Sequence, residues 1–328
     1  MRILQISEGF VGAQKDIEIA IHEYLKSHGH ESVILYAVGT VPAGERDIIP
    51  FEKKPDNLIR RALWKYAGHS DKYAYLQTRR IIQKIKEFGP DIVHIHVIHH
   101  GFVDFSMLMD FLNRREIKIV YTLHDLWAVT GGCYHYTDEN CTGYLRNCAG
   151  CTRKEQELDC RPEHAERAFV LKRQKFSQAA AIRFIAVSDW LKREAEQALG
   201  QEFPVTMIYN GVPLLEESQI RDKDSHPLIE KLITERCGRM VLVGCAAGWN
   251  SSKGIERFFE LARLLGPAYW IVLVGSASRE IMENSPGNIT YLGYISDRAL
   301  MWDIYQHADL HVMPKVSSRD MLTCKSAC

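Results

Sequence analysis

The chain has 328 residues, 46% hydrophobic and 25% charged, which excludes a disordered polymer and leaves room for two domains with separate cores. Its 41 Lys and Arg balance 41 Asp and Glu, so net charge points to no polyanionic partner and nucleic acid is not expected. No run reaches the roughly 18 apolar residues of a membrane span, and MRILQIS enters a strand with no signal-peptide pattern. The expectation is therefore a cytoplasmic protein whose nine cysteines are thiols or metal ligands rather than disulfides.

Strand and helix patterns alternate from the start. Ile3 to Ile6 reads as a strand, and Ala13 to Ser27 as a helix with Ile17, Ile21, Tyr24 and Leu25 on one face and Gly29 past its end. Between them, Gly9-Phe10-Val11-Gly12-Ala13 forms a tight turn in which glycine lets backbone amides approach a ligand. The turn lacks G-x-G-x-x-G, so a nicotinamide-binding reading is not supported. Val33 to Val38, Ile92 to Val97, Ile117 to Leu123 and Phe184 to Val187 are further strands, and Ser188 or Asp189 caps a helix running to about Leu199.

From Lys53 to Lys86 ten Lys or Arg face two Asp, with Trp64, Tyr66, Tyr73 and Tyr75 interleaved. Such a stretch reads either as a solvated helical face or as a surface that rests on an anionic membrane leaflet. Cys133, Cys141, Cys148 and Cys151 are spaced C-x7-C-x6-C-x2-C in a polar loop over residues 131–162. They read as four reduced thiols or as a tetrahedral zinc site, structural because four sulfur ligands leave no open position.

The pattern restarts after Asn210-Gly211 and a polar stretch from Glu216 to His226. Strands follow at Met240 to Val243, Trp270 to Val274, Ile289 to Leu292 and Leu310 to Met313, with helices at Gly254 to Leu265 and Asp297 to Gln306. The expected fold class is α/β, with two doubly wound domains, 1–212 and 213–328, facing a cleft at the carboxyl ends of two parallel sheets.

Particular residues go further. Pro90 to Tyr136 reads PDIVHIHVIHHGFVDFSMLMDFLNRREIKIVYTLHDLWAVTGGCYHY, and the later segments IYNGV, VGCAAGWNSSKGIERFFELARLL, WIVLVGSA, ITYLGYISD and ADLHVMP follow in order. This set resembles the family-four retaining glycosyltransferases of GT-B fold that build capsules, exopolysaccharides and O-antigens. The resemblance implies a Rossmann-like acceptor-side domain followed by a nucleotide-sugar donor domain. It also implies transfer of a sugar from a UDP- or GDP-linked donor to a glycan or polyprenyl-linked acceptor at the inner membrane face. No cofactor is required by such chemistry.

The same resemblance assigns residues. His124 in TLHD matches the active-site histidine that meets the donor sugar, against the alternative of a histidine that merely caps its loop. Asp125 and Trp127 fall on the acceptor side, Trp127 alternatively anchoring the loop. Gly12 belongs to the loop that closes over acceptor and donor phosphate. Lys253 matches the lysine that pairs with the donor pyrophosphate, while Gly275 and Tyr294 match positions near the nucleotide. His94 and His96 share one strand face and read equally as core residues or ligands.

The pattern departs from the family after ADLHVMP. An E-x7-E motif is expected there, and Ser317 and Lys325 stand at its two glutamate positions with Arg319-Asp320 for Phe-Gly. The expectation is a truncated or degenerate donor domain. The alternative function is accordingly a non-catalytic descendant that binds or scaffolds, or an inactive gene remnant.

Overall fold

The computed structural model describes residues 1–10, 12–41, 44–66, 70–134, 141–154, 158–211 and 226–313. The chain divides into two compact units at residues 213/214.

In the first unit the strands are β1 (Arg2–Phe10), β2 (Glu31–Gly39), β3 (Ile48–Pro50), β4 (Ile92–Ile95), β5 (Lys118–Leu123), β6 (Ile182–Ala186) and β7 (Val205–Met207). Among the described residues they form one sheet in the order β3-β2-β1-β4-β5-β6-β7, every pair parallel. The helices are α1 (Gly12–Ser27), α2 (Lys54–Tyr66), α3 (Tyr75–Phe88), α4 (Phe105–Arg114), α5 (Ala165–Ser177) and α6 (Asp189–Leu199). Local chemistry sets their ends. Asp104 accepts from Met107 N at 2.9 Å to start α4, Ser188 accepts from Leu191 N at 3.2 Å to start α6, and left-handed Gly89 closes α3.

The α1 face is more polar than its periodicity suggests. Tyr24 is exposed, and the buried positions are Glu18 and His22, one turn apart, with His22 Nδ1 2.8 Å from Ser32 Oγ. Helices α2, α3 and α5 are rich in charge, yet each buries part of itself. Arg60 of α2 lies almost wholly buried, paired with Glu52 at 2.9 Å and stacked over Phe102. Arg80 of α3 pairs with Asp56, so part of the basic stretch is neutralised within the fold.

The second unit contains α7 (Pro227–Arg236), β8 (Met240–Gly248), α8 (Ile255–Leu265), β9 (Tyr269–Ser276), α9 (Arg279–Glu283), β10 (Ile289–Gly293), α10 (Arg298–His307) and β11 (Leu310–His311). Its described strands form a parallel sheet in the order β10-β9-β8-β11. Alternation sorts the core: Val241, Val243, Val272 and Val274 pack with Ile229 of α7 and Ile304 of α10, while Leu242, Ile271 and Leu273 pack with Phe258 of α8. A sheet covered on both faces explains the continuous apolar runs of β8 and β9. Among the described residues no helix is long and apolar enough to cross a membrane.

Candidate active site

In a doubly wound sheet, ligands bind beyond the carboxyl ends of the strands, at the point where strand order reverses. Here β1 lies between β2 and β4, so that point falls at the ends of β1 and β4, with β5 next to them. The polar residues of the first unit converge there.

A string of imidazoles runs along β4 and β5. His94 Nε2 lies 2.8 Å from Thr122 Oγ1, and the His94 and His96 rings are 4.1 Å apart. Gln5 gives its amide hydrogen to the Glu18 carbonyl, so its oxygen is left to accept from His96 Nε2 at 3.1 Å. His96 Nδ1 then carries a lone pair, and it faces His124 Nε2 at 3.3 Å. The chain of roles makes His124 a donor through Nε2 and leaves the lone pair on Nδ1. Burial holds all three rings neutral: His94 falls to about 3, His124 to about 4 despite nearby Asp125, and His96 well below its usual range. His94 and His96 are thus buried parts of the fold, and His96 fixes the tautomer of His124.

Asp125 is spoken for. Its Oδ1 accepts from Trp127 N at 2.8 Å and its Oδ2 bonds His99 Nε2 at 2.7 Å. Burial pulls the His99 imidazole down, but the hydrogen bond and charge of Asp125, with Glu8 and Asp159 beyond, outweigh it and lift His99 to about 9. His99 Nδ1 lies 2.7 Å from His100 Nδ1, which is 2.8 Å from Glu8 Oε1. Among the described residues, Glu8, His99 and His100 are the one group of potential metal ligands whose donor atoms all lie within 4.8 Å.

Beside this cluster a cavity of about 390 Å³ is lined by His99, Trp127, Asp159, Arg161, Arg167 and Lys172, among others. Lys172 of α5 is buried under it. Its ammonium donates to the carbonyls of Trp127 at 2.7 Å and Thr130 at 3.0 Å and sits 3.8 Å from the centre of the Trp127 ring. Trp127 is 5% exposed, so it anchors the loop and forms the cavity wall. Burial lowers the Lys172 ammonium to about 8, opposed by Cys160, Asp159, Cys148 and Asp71.

Beneath the turn between β1 and α1, Glu18 is fully buried and accepts from Gln14 at 2.9 Å. Burial raises its carboxyl from 4.5 to about 7, against hydrogen bonds from Ser7 and Gln14. The folded chain therefore keeps a proton that the unfolded chain loses first, so stability falls as pH rises from about 4.5 to about 7 and is level above. Glu18→Gln should remove that slope and leave the variant more stable than the native chain at pH 8 by up to about 3 kcal/mol. Urea midpoints for both chains across pH 4 to 8 check this, and parallel curves would refute it. Gly12, at the head of α1, has φ +57° with open space around it, a conformation suited to glycine.

The expected donor-binding residues lie in the second unit. Lys253 ends a single 3-10 turn, Ser251–Lys253, and Gly254 caps α8 in left-handed conformation, so the lysine precedes the helix instead of standing in its first turn. The Asn250 side chain accepts from Lys253 N at 3.1 Å and orders the turn. Lys253 is exposed and makes no ion pair among the described residues. Gly275, next to last in β9, has φ +128°, and a Cβ there would stand 2.0 Å from the Ala246 carbonyl oxygen, so only glycine fits. Tyr294 follows β10 and is exposed.

The four cysteines surround a cavity of about 80 Å³, but no three of their sulfurs lie within 4.8 Å of one another. Cys133 is buried in the core and its backbone bridges to Leu158. Gly131 N points at Cys148 Sγ (3.2 Å) and Gly143 N at Cys141 Sγ (3.4 Å). Val11, loop residues 135–140 and 155–157, the stretch 212–225, and residues 314–328 with Ser317, Arg319, Asp320 and Lys325 lie outside the described residues.

Sequence reasoning missed Glu8, His99, His100 and Lys172. The His99-His100 doublet in the turn after β4 was the available signal. Nothing local marks Lys172, since a lysine on a charged helix reads as solvated.

The sequence profile described as Glycosyltransferase Family 4 matches residues 19–215, more than half of the chain. The chain is 28% identical over 141 residues to WcaC of Escherichia coli (strain K12), named as a colanic acid biosynthesis glycosyl transferase. That match covers 41% of this chain and 34% of WcaC, so the chain spans about a third of this curated relative. A glycosyltransferase from Rickettsia africae ESF-5 superposes with TM-score 0.58 at 18% identity, over 96% of this chain and 73% of that one. Anabaena Alr3699/HepE, solved with UDP and glucose, gives TM-score 0.57 at 15% identity, over 96% and 74% of the two chains. At these identities the structural likeness bears on fold, and the fold is the GT-B type built from Rossmann-like units. The chain belongs to Glycosyltransferase Family 4.

Proposed function

We propose that the chain transfers a sugar, with retention at the anomeric carbon, from a UDP- or GDP-linked donor to a glycan or lipid-linked acceptor of surface polysaccharide biosynthesis. The observation that carries this reading is His124: a neutral imidazole at the end of β5, its Nε2 hydrogen committed to His96 and its Nδ1 lone pair left for a hydroxyl. Front-face transfer asks for such a group near the sugar and for a cation at the leaving diphosphate. Lys253, exposed ahead of α8, is the cation of the second unit, with Gly275 and Tyr294 as its nucleotide-side residues, and Gly12, at the head of α1, is the first unit's donor-side residue. The cavity beside His99 and Trp127, with Arg161 and Arg167 on its wall, takes the acceptor. Its basic wall suits a phosphate-bearing acceptor.

Contact with a membrane leaflet fits the same reading. Helix α2 leaves Leu58, Ile59 and Tyr66 exposed beside Arg61, the composition of an interfacial helix. The protein is then cytoplasmic and peripheral. The resemblance to WcaC favours polysaccharide biosynthesis over other sugar transfers.

A second reading rests on one observation: Lys325 stands where the family carries a donor-site glutamate, reversing the local charge. Under it the chain binds a nucleotide or glycan without transfer. Thermal unfolding against UDP, GDP and their sugar conjugates separates the readings. A ligand at about 100 times its Kd adds roughly 2.7 kcal/mol. A midpoint raised by one nucleotide, reduced in Lys253→Ala and accompanied by sugar release from its conjugate, supports transfer. A shift without turnover supports the binding-only reading, and no shift with any nucleotide sinks the donor assignment.

A further inference from the structure

Glu8, His99 and His100 come together at the point where strand order reverses, one from the end of β1 and two from the turn after β4. The contacts among them are hard to reconcile with protons alone. An imidazole Nδ1 carries either one hydrogen or one lone pair in the ring plane. His100 Nδ1 faces Glu8 Oε1 at 2.8 Å and His99 Nδ1 at 2.7 Å, and a single hydrogen on it serves only one of them in a straight bond. If His99 supplies the hydrogen instead, the lone pair of His100 meets a carboxylate oxygen. Glu8 Oε2 is buried, lies 3.7 Å from His99 Nδ1 and has no hydrogen-bond partner among the described residues.

A cation enclosed by these three side chains satisfies every one of those contacts. Donors about 2.0–2.1 Å from one ion stand roughly 2.9–3.4 Å from one another, depending on coordination angle. The two imidazole nitrogens are 2.7 Å apart, Glu8 Oε1 lies 2.8 Å from His100 Nδ1 and Glu8 Oε2 lies 3.7 Å from His99 Nδ1, and one donor atom from each residue lies within 4.8 Å of the others. We infer that Glu8, His99 and His100 form a binding site for one divalent transition-metal ion of the zinc class. Two imidazoles and one carboxylate suit Zn²⁺, Co²⁺ or Fe²⁺ better than Mg²⁺ or Ca²⁺, which prefer all-oxygen shells.

The surroundings are those of a ligand set held in place. Asp125 Oδ2 lies 2.7 Å from His99 Nε2, so the carboxylate orients the ring and directs Nδ1 to the ion. Asp159 accepts the His100 backbone N–H at 2.6 Å. His100 has φ +58°, uncommon for a residue other than glycine, and this turn breaks the alternation that would aim adjacent side chains to opposite sides. The Tyr134 ring stacks on His99 at 5.4 Å and covers the pair. Three protein ligands leave positions open for water or another oxygen ligand. The ion would also brace Asp125, whose other oxygen shapes the loop after His124.

The test is a cobalt(II) titration of the full chain after chelator treatment, followed by absorbance and thermal unfolding. One equivalent should bind, with visible ligand-field bands, no thiolate-to-cobalt charge-transfer band and a raised unfolding midpoint. Glu8→Gln, which keeps shape, and His100→Ala, which removes a strained residue, should each weaken binding at least about tenfold, and Asp125→Asn by about 10–100-fold. A Cys141→Ser, Cys148→Ser double variant should bind as the native chain does. Absence of binding, loss of all binding in the cysteine variant, or affinity unchanged in both Glu8→Gln and His100→Ala overturns the site. None of these outcomes depends on sugar transfer, so the result is independent of the proposed activity.

Discussion

His124→Ala should lower kcat/KM for sugar transfer about 10²–10³-fold, the loss typical when a preorganised polar group at a reacting centre is removed. Donor affinity, read as the nucleotide-dependent unfolding shift, should stay close to native, because Lys253 and Gly275 belong to the other unit. Stability should fall by about 1 kcal/mol, the cost of leaving His96 Nδ1 without its donor. A merely structural histidine would give the reverse, a large drop in midpoint with activity following it. The pH profile offers a second readout. His124 titrates near 4, so it should impose no acidic limb on kcat between pH 5 and 8. Transfer at native rates by a folded His124→Ala chain would remove the residue from the mechanism.

Lys172→Met should cost about 3–5 kcal/mol, the range for breaking a buried charge arrangement by removing one partner. Methionine approximates the stem's volume, so the loss reports the ammonium rather than a cavity. Three groups lose their counterpart: the carbonyls of Trp127 and Thr130, the Trp127 ring face, and the buried carboxyls of Asp71 and Asp159. The penalty should depend on pH with a definite sign. Burial, helped by Asp104, raises Asp71 to about 6 and burial raises Asp159, so both can take up protons once the ammonium is gone. The cost is then largest near pH 7, below the Lys172 value of about 8 and above the Asp71 value of about 6, and shrinks as pH falls toward 5. Denaturant midpoints of the native and Met chains at pH 5 and 7.5 give the comparison, and an equal penalty at both would refute the charge argument. Because Trp127 and Lys172 line the cavity, the variant should also raise KM for the acceptor more than it lowers kcat.

These two residues show unequal legibility. His124, with Asp125 and Trp127, stands in TLHDLW directly after an apolar β-rich run, so the end of a strand and the family motif coincide in one short segment. Lys172 lies on a helix as charged as AERAFVLKRQKFS, where charge by itself implies solvent. Only the packing of α5 under the loop from Trp127 to Thr130 turns that lysine inward. The same holds for Glu18 and His22 on α1, which take the buried positions while Tyr24, an apolar-face residue by spacing, stays outside.

Periodicity and composition by themselves determined the alternation of strand and helix and the parallel covered sheets, because those depend on local runs with a period of two or 3.6. The motif determined the family. The tertiary structure alone decided which polar groups meet. Ile6 of β1 pairs with Ile95 of β4, and that register carries Glu8 to His99 and His100 across a long stretch of intervening chain. It also brought Cys133, Cys141, Cys148 and Cys151 to the wall of one cavity. Contacts between distant segments follow from strand order and register, which no local window of residues encodes.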